Sequence, residues 1–173
     1  MHCRSTKVIA VLAALVAVIG APAMASASSV GGGTPPPTWG TITVTIGSTA
    51  SLTAKLLAKV PVDVTCSLNA AGITANASTA PDRTGVFVEV DEAVGKSIAS
   101  GFGSAGPFPC DGTTTHFLVS VQSQNCCPGV PFKTGKAIVS ASGEADWGPF
   151  DLDTGTPAGT AFGVAGPQVL RLR

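Results

Sequence analysis

Alternation with a period of two constrains this chain more than any other feature. Ile42, Val44 and Ile46 lie on one side of a segment whose other side is Thr41, Thr43 and Thr45. Val60, Val62, Val64, Cys66 and Leu68 repeat the pattern, with Asp63, Thr65 and Ser67 between them. In an extended strand successive side chains point to opposite faces, so each run offers one face to a core and one to water. The pattern returns at Leu52, Ala54 and Leu56, and at Val86, Val88 and Val90 with Glu89 and Asp91 on the wet side. It returns again at Phe117, Val119 and Val121, opposite His116, Ser120 and Gln122. Ala137, Val139, Ala141 and Ala145 form a further run that faces away from Ile138, Ser140 and Ser142. A weaker strand is expected over 96–102, and a closing one over 169–173 with Leu170 and Leu172 inward.

Turn-forming residues separate these runs. Long irregular stretches are expected over 69–85 and 149–167, a break over 101–109, and a loop over 124–130. The reading is an all-β domain: an antiparallel Ig-like β-sandwich of seven to eight short strands, with the alternating faces buried between two sheets. Abundant Gly and a charged fraction of 12% agree with many short strands. The Ig hallmarks are only partly present, since no Trp follows Cys66 on a strand and the chain has no Tyr for a tyrosine corner.

The first residues read as an export signal. Arg4 and Lys7 precede an apolar run over 8–19, followed by Gly20, Pro22 and small residues suited to cleavage after Ala25 or Ala27. The run is about a dozen residues, short of the roughly 20 that span a bilayer as a helix. Three parts follow: a cleaved signal helix over 1–27, a Gly/Pro-rich lead-in over 28–40 that Trp39 pins to the domain, and the β-sandwich over 41–173. The expected address is secreted, outside the cell, with no stable membrane anchor. Without Arg4 and Lys7, eight basic groups stand against ten acidic ones, a net charge near −2 that offers no field for nucleic acid. Cys66, Cys110, Cys126 and Cys127 then remain, and an even number in an exported chain reads as disulfides with three pairings open.

The segments VPVDVTC (60–66), GKSIASGFG (95–103), CDGT (110–113) and FKTGKAIVSAS (132–142) resemble small exported Ig-like β-sandwich proteins of actinobacteria, a family without an assigned function. The resemblance spans most of 41–173. It implies a fold and an address, and it pairs Cys66 with Cys110. Closing that loop of about 45 residues is worth roughly 4 kcal/mol in the chain-entropy picture. The family pattern does not contain the Cys126-Cys127 doublet, whose pairing stays open between a vicinal ring, a link between chains, free thiols and a brace to the sandwich.

Candidate chemistry is thin. Gly101 to Gly106 spells G-x-G-x-x-G, yet Pro107 and Pro109 follow where a dinucleotide site needs a helix, so the match is chance. Asp151 and Asp153, with Glu144 and Asp146 upstream, lack the calcium-loop spacing and its closing Glu, and read as a solvated acidic loop. Asn76-Ala77-Ser78 matches a glycosylation acceptor by chance. His116 is the only histidine after the signal, reads as an exposed strand residue, and has no nominated catalytic partner. No catalytic residue, metal ligand or cofactor is assigned, and the expectation is not an enzyme. The expected role is an exported structural or interaction module meeting an unknown protein through its loops. The alternatives are a carrier of a small hydrophobic ligand, favoured if Phe132, Leu118 and Ile138 turn outward, and a secreted protease inhibitor using the Cys126-Cys127 loop.

Overall fold

Each alternating run forms a strand, and apart from Leu56 the described apolar members of its predicted inner face are withdrawn from water. The computed structural model describes residues 36–54, 56–124, 130–148 and 157–173. The expected export signal and most of the lead-in lie outside them, as do Cys126, Cys127, Asp151 and Asp153. The strands are β1 (Gly40–Ile46), β2 (Thr49–Ala54), β3 (Leu57–Leu68), β4 (Arg83–Val94), β5 (Ser97–Ala105), β6 (Asp111–Ser123), β7 (Gly135–Trp147) and β8 (Gly159–Leu172). One short helix, α1 (Ala70–Thr74), follows β3. Among the described residues no helix is long and apolar enough to cross a membrane.

Hydrogen bonding does not divide the strands into the two separate sheets that a sandwich implies. A single sheet runs β3-β2-β8-β7-β4-β5-β6 and closes where β6 pairs with β3 from Leu57↔Gln122 to Thr65↔Thr114. β1 is the eighth strand and continues along the edge of β3 that β2 uses, beyond β2's short pairing, from Ile46↔Val62 to Gly40↔Leu68. Two seams of the ring are narrow. β2 meets β8 in parallel through Thr49↔Arg171 and Ala50↔Leu172, and β5 meets β6 through Gly101↔Ser123 and Phe102↔Gln122. The chain turns at Gly47-Ser48 from β1 into β2, and this carries the sheet across to β8. Closure of this kind removes open strand edges.

The interior is filled by the predicted faces. Val60, Val62, Val86, Val88, Val90 and Val119 are fully buried, with Val121 and Val139 beside them. Burying each such side chain contributes about 1.5–3 kcal/mol before the entropy of ordering is set against it. Cys66 and Cys110 are bonded within this core, their Cα atoms 4.3 Å apart. The bond joins the end of β3 to the segment that enters β6, so it staples neighbouring strands rather than opposite sides of the core.

Several boundaries differ from the sequence reading. The stretch 69–85 holds α1, capped by Asn69, whose Oδ1 accepts from the Gly72 N–H at 2.9 Å, and β4 begins at Arg83. An Asn before a five-residue helix carries no apolar period, so only the cap betrays it. The break expected over 101–109 starts later, because β5 continues to Ala105 through Gly101 and Gly103. A Cβ on Gly101 would stand 2.7 Å from both the Gln122 carbonyl and the Phe132 ring, and one on Gly103 would stand 2.3 Å from the Ser120 carbonyl. These glycines are there for close approach to β6, not for a turn. In the irregular stretch expected over 149–167, the described part from 157 on is mostly β8, and Pro167 is tolerated because the β7–β8 ladder shifts between Val139 and Ala141 opposite it. Leu56 is exposed rather than inward.

Candidate functional site

The inner faces of the ring are alike, so any site must come from the outside or the ends. Trp39 shows how one end is held. Its N–H donates to the Thr160 carbonyl at 2.9 Å, its carbonyl accepts from Asn69 N at 3.0 Å, and its ring lies 6.3 Å from that of Trp147. The Trp147 indole N–H in turn donates to the Ser78 carbonyl at 2.7 Å. At another point Glu92, 3% exposed, accepts from the Lys133 N–H at 2.7 Å. This clamp, with the space left by Gly101, seats Phe132 in the core at 1% exposure. The expectation that Phe132 faces outward beside the doublet is therefore corrected. Leu118 and Ile138 do face outward.

The outer face of β1, β3 and β6 is hydroxylic. Cross-strand registry aligns Thr43, Thr65 and Thr114 in one row and Thr45, Asp63 and His116 in the next. Thr65 and Thr114 share a hydroxyl hydrogen bond of 2.7 Å, and His116 Nδ1 lies 2.6 Å from Asp63 Oδ1. The histidine is exposed, as expected. Near one end of this face Asp111 accepts from both the hydroxyl and the N–H of Thr113. The hydroxyl bond first, then the backbone bond, holds its carboxyl below the usual aspartate range.

The outer face of β5, β4, β7 and β8 is different. Registry sets Ser104, Phe87, Ser142 and Val164 in one row, and Phe102, Glu89 and Ser140 in the next. A third row carries Gly85, Glu144 and Phe162, and a fourth Asp91, Ile138 and Val169. The Phe87 and Phe102 rings stack with centroids 6.0 Å apart. Small residues on β7 between taller neighbours leave a hollow of about 310 Å³, floored by Ser140 and Ser142 and walled by Phe87, Phe102 and Val164. Gly85 leaves a second hollow of about 760 Å³ between Phe87, the 104–107 segment and the Glu144–Asp146 side of β7. Phe87 borders both, its ring standing between them.

The second hollow is acidic. Arg83 Nε lies 3.9 Å from Asp146 Oδ2, and an Asp82 oxygen accepts from the Gly148 N–H. Glu89 and Glu144 have no ion pair among the described residues. Of the acidic loop read from the sequence, only Glu144 and Asp146 are described, and Asp146 is spent on Arg83. Among the described residues no three His, Cys, Asp or Glu side chains gather as metal ligands would. The pairing of Cys126 and Cys127 lies outside the described residues. Sequence reasoning named Ile138, Ser140 and Ser142 as the outward side of β7 but did not assemble them with Phe87, Phe102 and Val164, because registry between distant strands is not written in any one strand.

A closed all-β sheet with an apolar and partly acidic outer face is thus the class of protein that the coordinates define. No protein-family model, curated protein or solved structure matches the chain.

Proposed function

We propose that this chain is an exported, non-catalytic β-module that works by recognising a protein at the cell envelope or outside the cell. One observation carries the reading. Of nine large apolar side chains that stand exposed among the described residues, six (Ile98, Phe102, Ile138, Phe162, Val164 and Val169) share the outer face of β5, β4, β7 and β8. Exposed apolar side chains gathered on one face in this way mark contact sites on soluble proteins. The apolar run over 8–19 and the small residues to Ala27 support export, and the buried Cys66–Cys110 bond suits an oxidising destination.

The finer architecture belongs to the same proposal. The ring is read as an Ig-like sandwich closed at its margins, in line with the resemblance to actinobacterial proteins. Its narrow seams and the parallel β2–β8 contact support that reading. So does the approach of β1 to the inner side of β8, where a Cβ on Gly163 would stand 2.3 Å from the Ile42 carbonyl. A disulfide within one half departs from the inter-sheet bond of antibody domains.

A second reading, a carrier of a small hydrophobic ligand, is favoured by the 310 Å³ hollow on the same face. The inhibitor alternative rests on residues 126 and 127, outside the described residues. Photo-crosslinking tests the main reading, with a benzophenone amino acid placed at position 162 or, separately, at position 43. Protein adducts from 162 and none from 43 support it in cells that make and export the chain. Equal adducts from both positions, or none from either, overturn it. Intact mass of the exported product tests the rest: loss of residues 1–25 or 1–27 is expected, and retention of 8–19 overturns export.

A further inference from the structure

The two hollows on either side of Phe87 have an order along the strands. Ser140 and Ser142, between Phe87, Phe102 and Val164 and with Glu89 at the rim, form the more apolar part, and Glu144, with Asp82, Asp146 and Arg83 near Gly85, forms the charged, mainly acidic part further along β7. From Ser140 to Asp146 the floor of β7 spans six residue steps, about 20 Å at the rise of a strand. The floor strand lies between Phe87 on β4 and Phe162 and Val164 on β8, so the space between the walls is about two inter-strand spacings wide, roughly 10 Å. That is the width of one extended chain. Phe162 and Val164 are 63% and 66% exposed on the β8 wall, so the trough is open along its length. A small-molecule site instead encloses most of its ligand.

Charge adds a direction. Glu144 and Glu89 are exposed and without ion pairs among the described residues, and the one cation at this end, Arg83, is already committed to Asp146. Lys136 and Arg171 lie in registry with one another at the opposite end of the face. A ligand whose apolar side chain fills the serine-floored hollow therefore has Glu89 beside it and meets Glu144 one or two rows onward. Complementary charge sets which partner and which orientation is accepted.

We propose that this trough binds an extended segment of a partner protein that presents an apolar side chain followed, on the same side of the segment, by lysine or arginine. The proposal rests on the reading of this face as the contact surface and adds the partner's chemistry. In an extended chain residues two apart share a side, so the motif is an apolar residue with a basic residue two or four positions away.

The test is a titration of the ¹⁵N-labelled protein with three capped hexapeptides, followed by amide shifts. The probes are Ser-Leu-Ser-Lys-Ser-Lys, the same peptide with Gln for Lys, and the same with Glu for Lys. At low salt the lysine peptide is expected to bind about tenfold tighter than the glutamate one, with a preference that salt erodes. Its shifts centre on Phe87, Ser142 and Glu144, and Glu144→Gln reduces the preference about threefold. Val164→Ser, at an exposed site that leaves the spectrum otherwise intact, loses binding of all three. Equal affinities that Val164→Ser still abolishes overturn the charge proposal and leave the face reading standing. Shifts that survive Val164→Ser, shifts centred on Thr43 and Thr114, or no shifts at millimolar peptide overturn both.

Discussion

The outside of β1, β3 and β6 carries Thr43, Thr65 and Thr114 in registry, whereas the outside of β5, β4, β7 and β8 carries Phe87, Phe102, Phe162 and Val164. Both groups of strands turn valines inward, and both alternate with the same period. The inner residues therefore account for the fold, and the outer ones are free to differ. On the hydroxylic face the polar groups are turned on one another, Thr65 to Thr114 and His116 to Asp63. On the other face Glu89 and Glu144 are left without ion pairs among the described residues, beside exposed aromatic rings. A face whose polar groups are mutually satisfied gives a partner little to compete for; one with unpaired charge and exposed rings gives it a great deal.

The comparison breaks entirely if the two groups of strands cannot pack. Gly163→Val drives a branched side chain of β8 into the Ile42 carbonyl, and it is expected to cost about 3 kcal/mol or more. The urea midpoint measures it, and a midpoint within error of the parent would mean that β1 does not lie against β8. Next in size is Cys110→Ala, which unstaples β3 from the entry to β6 and lowers stability by about 2–4 kcal/mol. Reduction of the parent protein should reproduce that loss, and reduction of the variant should add nothing.

Smaller effects sharpen the contrast. Phe162→Ser is expected to change stability by no more than about 0.5 kcal/mol, since the ring is 63% exposed. Retention on a phenyl column should nevertheless fall clearly, while Thr43→Ser leaves it unchanged; equal retention by both variants would erase the difference between the faces. The smallest effect concerns Asp111. Its folded pKa lies below the usual value because Thr113 donates to it, so the folded protein binds fewer protons there than the unfolded chain. Its contribution is complete above the unfolded aspartate range and is lost as pH falls through the folded value. Following the carboxyl carbon by NMR should place the midpoint low, and Thr113→Val should move it up towards the ordinary value. An unmoved midpoint would assign the shift to another cause.

The sequence by itself determined most of the residues that face inward, Leu56 and Phe132 being the exceptions. Val60 to Cys66, Val86 to Val90 and Ala137 to Ala141 were legible because side-chain direction in a strand follows from local geometry alone. Leu170 and Leu172 were legible for the same reason, and so was the pinning role of Trp39. Glycines misled where they serve close approach: Gly101 and Gly103 read as a break, and Gly159 and Gly163 as an irregular stretch, although all four lie in strands. Tertiary structure alone decided that β2 crosses to β8 and closes the sheet, that Glu92 and Gly101 draw Phe132 inward, and that four distant strands align Phe87, Ser142 and Val164 in one row. The physical reason is range. Alternation is a property of neighbouring residues, whereas closure and registry depend on which strands meet, and that is settled by packing among residues far apart in the chain.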